Sequence, residues 1–125
     1  MTKIIAEIGW NHMGDIKLAK KMIIAGAKNG ADYIKTQVFD PKLLKPGPWD
    51  KDGRRDIYNK AKLTSAKYEK LYNFAKINKI KFFTSVVNKD GAKMVLKFQN
   101  DLIKIPSTEN TNYELLEFCK KNFKE

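Results

Sequence analysis

An α/β fold around a parallel sheet is what this 125-residue sequence predicts, on two observations. Four short segments rich in β-branched and aromatic residues alternate with four segments whose apolar residues recur at helical spacing, the pattern of successive strand–helix units. The strand-like segments are nearly continuous apolar runs, as strands covered on both faces are, and their polar exceptions gather towards the carboxyl ends. With 42% apolar residues, the chain can build a real core as a single domain spanning 1–125.

Taken in order, the first strand is expected at about Lys3 to Ile8. Asp15 then has the chemistry of a helix N-cap, and Ile16, Ala19, Ile23, Gly26 and Ala27 fall on one face before Gly30 supplies a stop. A second strand follows over Ala31 to Val38. From Phe39 to Leu63 the chain holds Pro41, Pro46, Gly47, Pro48, Gly53 and many charges, which reads as a long loop or irregular insertion of the kind that serves a site. Thr64 or Ser65 caps the next helix, with Tyr68, Leu71, Tyr72 and Ala75 at i, i+3, i+4 and i+7. The third strand runs over Ile80 to Val87, Asn88 caps a helix that turns Ala92, Val95 and Leu96 inward, and the fourth strand lies at Leu102 to Ile105. The last helix begins near Thr111, which has capping-box spacing to Glu114, and buries Leu115, Leu116, Cys119 and Phe123.

The polar exceptions share a position. Glu7 stands near the end of the first strand, Lys35 and Gln37 in the second, Ser85 in the third and Lys104 in the fourth, with Ser107 and Glu109 just beyond. Period-two alternation sets Lys35 and Gln37 opposite Ile34 and Val38, and Lys104 opposite Ile103 and Ile105, leaving the apolar set to face the helices. Ligands of parallel α/β folds bind at the carboxyl ends of the strands, so these residues are candidates for a site. Two partly buried lysines need a counter-charge, which a small polyanion with carboxylate and phosphate groups would supply, serine hydroxyls completing the cradle. Glu7 and Glu109 suit hydrogen bonds from sugar hydroxyls or proton movement at a reacting carbon. An internal Glu7–Lys35 ion pair between neighbouring strands is the structural alternative.

The net charge of +11, from 25 Lys and Arg against 14 Asp and Glu, favours anionic partners. The lysines are spread along the whole chain, however, and no nucleic-acid motif accompanies them, so a nucleic-acid partner is not expected. Cys119 is the only cysteine, which excludes an intrachain disulfide and suggests a buried thiol in a reducing, cytoplasmic setting. The apolar run from Ile4 to Ile8 is short and broken by Glu7, and nothing approaches the roughly 20 apolar residues of a membrane span, so no membrane association is expected.

The stretch Ala6-Glu7-Ile8-Gly9-Trp10-Asn11-His12-Met13-Gly14-Asp15 resembles the opening signature of N-acetylneuraminate (sialic acid) synthases. Gly30-Ala31-Asp32-Tyr33-Ile34-Lys35-Thr36-Gln37 is similar to that family's second strand, Phe82-Phe83-Thr84-Ser85-Val86 to its third, and Lys104-Ile105-Pro106-Ser107-Thr108-Glu109 to its fourth. Departures from the family pattern are Ser85-Val86 in place of a common Thr-Pro pair and a bulky Trp10. The resemblance implies a TIM-type (βα)8 barrel of which this chain covers about the first four βα units. It also implies a condensation of phosphoenolpyruvate with an N-acetylmannosamine-like amino sugar that releases phosphate. Glu7, Lys35 and Lys104 would then be the catalytic candidates. Lys35, Ser85, Lys104 and Ser107 would bind phosphoenolpyruvate, Glu7 and Glu109 would contact the amino sugar, and Asn11, His12 and Gln37 would be further substrate-binding residues. A divalent cation, manganese or magnesium, is implied as cofactor with its ligands in the family's second half; His12, the only histidine, is read as organising its turn or lining the sugar site and not as a metal ligand.

A complete barrel of this type needs about 250 residues. Four strands leave two open edges, so self-association or a complementary half-barrel chain is expected. Three hypotheses follow: half of a synthase, a non-catalytic module that binds phosphoenolpyruvate or a sugar, and a basic protein that binds nucleic acid.

Overall fold

In a computed structural model, which describes residues 2–125, short polar side chains cap the helices and glycines at positive φ turn the chain between elements. After strand β1 (Ile5–Gly9), the Asp15 carboxylate accepts from the Lys17 and Leu18 amides and starts helix α1 (Ile16–Lys28). Gly30, at φ 85°, reverses the chain into β2 (Tyr33–Val38). Helix α2 (Arg54–Ala61) lies in the connection that follows. Thr64 then caps α3 (Ser65–Ile77), β3 covers Lys81–Val86, and Asn88 caps α4 (Lys89–Leu96) through the Gly91 amide. Helix α5 (Tyr113–Asn122) comes last.

The three strands are parallel and neighbour one another in chain order, β1-β2-β3. One core holds Ile8, Ile34, Val38, Phe82 and Val86 from one face of the sheet, together with Ala19 and Ile23 of α1, Tyr68, Leu71 and Ala75 of α3, Ala92 and Val95 of α4, and Leu115 and Cys119 of α5. Helices on a single side of strands laid down in sequence make a barrel wall, whereas a doubly wound sheet puts helices on both sides. Lys35, Phe83 and Ser85 occupy the opposite face.

Three expectations are corrected. The fourth strand reduces to a parallel bridge between Ser85 and Lys104, in which the Lys104 amide donates to Thr84 O and the Val86 amide to Lys104 O, each at 3.1 Å. Pro106, two residues on, has no N–H with which to continue it. The other edge of this segment is also hydrogen-bonded: Lys124 and Glu125 donate to the carbonyls of Asn100 and Asp101, and the Ile103 amide donates to Glu125 O at 2.9 Å. The final residues thus lie alongside the fourth segment as a parallel neighbour.

The insertion after β2 is not irregular. It holds two 3₁₀ turns, Pro41–Leu43 and Pro48–Asp50, and then α2, which Gly53 enters at φ 83°. Ion pairs within it join Asp50 to Arg55, Asp52 to Arg54 and Asp40 to Lys62. Helix α5 is capped by Asn112, whose side chain accepts from the Leu115 amide, and not by Thr111; Glu114 instead pairs with Lys89 of α4 at 2.9 Å. Among the described residues no helix is long and apolar enough to cross a membrane.

Candidate active site

The site is built by strand register. Glu7 of β1 lies opposite Lys35 of β2, and Gln37 lies opposite Ser85 of β3, which in turn bridges to Lys104. The long Lys35 side chain leans along its strand towards the carboxyl end, where Nζ donates to Ser85 Oγ at 2.9 Å and forms an ion pair with Glu7 Oε2. Glu7, Lys35 and Ser85 are therefore joined across three strands. The Lys35 side chain is only 11% exposed, so an ammonium held there is costly without partners, and Glu7 and Ser85 provide them. The internal Glu7–Lys35 ion pair raised as the structural alternative is present, at the position of the candidate site.

A bulge shapes the Glu7 end. Glu7 pairs with Lys35 but Gly9 pairs with Thr36, so Ile8 is the extra residue, and Gly9 adopts φ 54° as glycine does in such bulges. Thr36 Oγ1 donates to Gly9 O at 2.7 Å and fixes the bulge. A methyl group added at Gly9 would lie 3.3 Å from Glu7 Oε1 and 4.0 Å from Gln37 Nε2, so the carboxylate and the amide converge at this glycine. A glycine at the end of an apolar strand, followed by a tight polar loop, was the available signal for this bulge.

The loop after β1 is held from inside. His12 is fully buried, and its Nδ1 accepts the Gly14 amide at 3.0 Å. With Nδ1 an acceptor, the ring is neutral with its proton on Nε2, an atom that has no partner among the described residues. Burial, and next the positive charge of Lys67, hold the imidazole below its ordinary pKa. Lys67 of α3 donates to Gly14 O at 3.2 Å, so both polar ends of that residue are tied. Gly14 has φ 79°, and a Cβ there would meet Lys60 O at 2.0 Å, which brings the end of α2 hard against the loop. His12 is thus in the turn-organising place, and Asn11 beside it is exposed.

Not every candidate joins the cluster. Lys104 is exposed, contrary to the expectation of two partly buried lysines, because the fourth segment meets the sheet at a single bridge. Ser107 and Glu109 share a one-turn 3₁₀ helix, and Glu109 accepts from Asn112 Nδ2 at 2.9 Å. Apolar periodicity overlooked Tyr58 of α2, whose ring meets those of Trp10 and Phe39 edge to face, with centroids 5.5 and 5.7 Å away. That trio fastens α2 beside the carboxyl ends of β1 and β2. Among the described residues no three His, Cys, Asp or Glu side chains come together as a metal site. A divalent cation therefore does not fit the donors present here.

Known proteins resemble the chain over nearly all its length. The family model for the NeuB family matches residues 22–125. The chain is 32% identical over 131 residues to N,N'-diacetyllegionaminic acid synthase of Campylobacter jejuni, covering 96% of this chain and 39% of that protein. It is 30% identical over 132 residues to pseudaminic acid synthase of the same species, with 97% and 38% covered, and 30% identical over 128 residues to N-acetylneuraminate-9-phosphate synthase of Mus musculus, with 94% and 36% covered. The crystal structure of an N-acetylneuraminic acid (sialic acid) synthetase from Leptospira borgpetersenii serovar Hardjo-bovis, in complex with citrate, superposes with a TM-score of 0.84 at 26% identity, over 95% of this chain and 41% of that one. The chain spans under two-fifths of the length of these curated relatives, and it matches the first strand–helix units of a barrel-type synthase fold.

Proposed function

The chain belongs to the NeuB family, and from that premise we propose that it supplies the phosphoenolpyruvate-binding and part of the sugar-binding surface of a nonulosonic acid synthase. In the proposed reaction C3 of phosphoenolpyruvate bonds to the aldehyde carbon of an N-acetylmannosamine-like sugar, whose oxygen takes up a proton. Water adds at C2 and phosphate leaves. Lys35 and Lys104, with the hydroxyls of Ser85 and Ser107, hold the carboxylate and phosphate charges of the three-carbon substrate. Gln37, Asn11 and Glu109 face the sugar, and Glu7 is the group placed to move a proton.

The observation that carries this reading is the Glu7–Lys35–Ser85 contact at the carboxyl ends of three parallel strands. With no substrate bound, Glu7 balances Lys35; an arriving phosphate or carboxylate competes for the same ammonium and frees the Glu7 carboxylate. His12 acts on the sugar side only through the loop it anchors. The divalent cation of the family would draw its ligands from barrel units beyond those matched here, so none of these roles passes through it. A complementary barrel segment or a second copy of the chain is the proposed protein partner. A reducing compartment, the cytoplasm, suits the single buried thiol of Cys119, which burial pushes up in pKa.

The test is phosphate release from phosphoenolpyruvate with N-acetylmannosamine and manganese, with and without the complementary barrel segment, alongside Lys35→Ala. Turnover that falls by about 100-fold or more in the variant supports the reading. Phosphoenolpyruvate binding that ignores the variant removes it, and Lys35-dependent binding without turnover in the complemented mixture marks a binding module.

A further inference from the structure

We propose that the protein has a second anion site, at the amino-terminal ends of its strands, which takes a phosphomonoester carried on a flat ring, as in a nucleoside monophosphate. A cavity of about 540 Å³ opens there, within the roughly 300–1,000 Å³ of small-ligand sites. Tyr33 and Lys81, register partners at the start of β2 and β3, form one wall. Gln37 and Ser85 lie four residues further along the same strands, so at about 3.3 Å per residue this wall is some 13 Å short of their level, while Phe83, which also lines the cavity, pairs in register with Lys35.

The cavity is charged for an anion. Four lysines line it, Lys76, Lys79, Lys81 and Lys124, against two carboxylates, Asp101 and Glu125. Asp101 is already paired with Lys124 at 2.7 Å. Lys76, Lys79 and Lys81 have no carboxylate within ion-pair distance among the described residues. They come from the last turn of α3, the turn after it and the first position of β3, so three ammonium groups reach one opening from consecutive elements. Compact ammonium charges of this kind suit the oxygens of a phosphate.

The flat ring follows from the other lining groups. The rings of Tyr33 and Tyr72 are half-buried in the cavity wall. Lys81 Nζ lies 5.2 Å from the Tyr33 ring centroid and 3.4 Å from its hydroxyl, so a cation and an aromatic face are already side by side. A base laid on a tyrosine with its phosphate towards Lys76 and Lys79 uses both features, whereas a sugar phosphate uses the lysines alone. A concave cavity also favours a small ligand over an extended strand of nucleic acid.

Calorimetric titration at fixed ionic strength would compare adenosine monophosphate, inorganic phosphate, ribose phosphate and a mixed-sequence oligonucleotide. Adenosine monophosphate is expected to bind about tenfold or more tightly than inorganic phosphate or ribose phosphate, the ratio that stacking one base on an aromatic ring supplies. The paired substitution Lys76→Ala and Lys79→Ala, at two exposed positions, is expected to weaken it by about tenfold or more. Lys35→Ala should leave it unchanged while removing phosphoenolpyruvate binding, so the two sites fail separately. Equal affinity for the monophosphate and inorganic phosphate, indifference to the paired substitution, no binding, or tighter lysine-dependent binding of the oligonucleotide would each overturn the proposal.

Discussion

His12, with one ring nitrogen satisfied and the other bare, governs how the loop after β1 responds to acid. Protonation would convert Nδ1 from acceptor to donor, break its bond from the Gly14 amide and set a second positive charge beside Lys67. The folded imidazole therefore has a depressed pKa, while the unfolded one titrates near its usual value of about 6.5. Between the two values the unfolded chain holds more protons, so this contribution to stability is complete above the unfolded value and declines as pH falls towards the folded one. Melting temperature is expected to drop from about pH 7.5 to about pH 5.5, and to drop less in His12→Asn, whose carbonyl can replace Nδ1 as acceptor. An equal drop in the variant would show that other groups carry the effect. The Asn-His-x-Gly stretch was legible as a turn, but the burial of its histidine was not. The turn that holds it packs at Gly14 against Lys60 and Lys67, contributed by helices some 50 residues later in the chain.

Among the elements, the N-cap of α5 separates what spacing suggests from what geometry selects. Thr111 and Glu114 have capping-box spacing, yet Asn112 makes the bond to Leu115 and Glu114 turns to Lys89. Asn112→Ala is expected to cost about 1 kcal/mol, and Thr111→Ala less than about 0.5 kcal/mol, in chemical denaturation. The reverse order would return the cap to Thr111. Helices α1, α3 and α4 were readable because each buries a periodic stripe, as Ala19 with Ile23, Tyr68 with Leu71 and Ala75, or Ala92 with Val95 do. Helix α2 was not, since Ala61 is its only fully buried residue and its hold on the fold is the Tyr58 ring between Trp10 and Phe39. The fourth strand was overread for the opposite reason: Leu102, Ile103 and Ile105 have strand composition, but only Lys104 meets the ladder of β3.

At the scale of the whole molecule, the sheet has one face under helices and one carrying Lys35, Phe83 and Ser85, and among the described residues β1 pairs only with β2. Ile4 and Ile5, 55% and 48% exposed, lie at that free edge. Unpaired edges with apolar side chains promote association. Sedimentation velocity on a concentration series is expected to show species heavier than a monomer, which a complementary barrel segment should convert to a one-to-one complex. A monomer at every concentration would mean that this edge does not drive pairing. The parallel sheet and the gathering of polar groups at the carboxyl ends of its strands were readable from alternation alone, whereas the order of the strands followed from the family resemblance. Which of those groups touch was not, because the Lys35–Ser85 contact joins residues 50 positions apart and depends on a register that no local pattern encodes.

The hydrogen bonds from Lys124 and Glu125 to the Asn100–Ile103 segment have a practical side for anyone handling this protein. Anything joined after Glu125 leaves from a residue that is exposed and yet bonded through its backbone to Asp101 and Ile103. A purification tag placed there would compete for the sheet edge or strip Ile103 of its bonding partner, so a flexible spacer is needed before the tag. A fluorophore attached at the same point would, conversely, report on whether that edge has acquired its next strand.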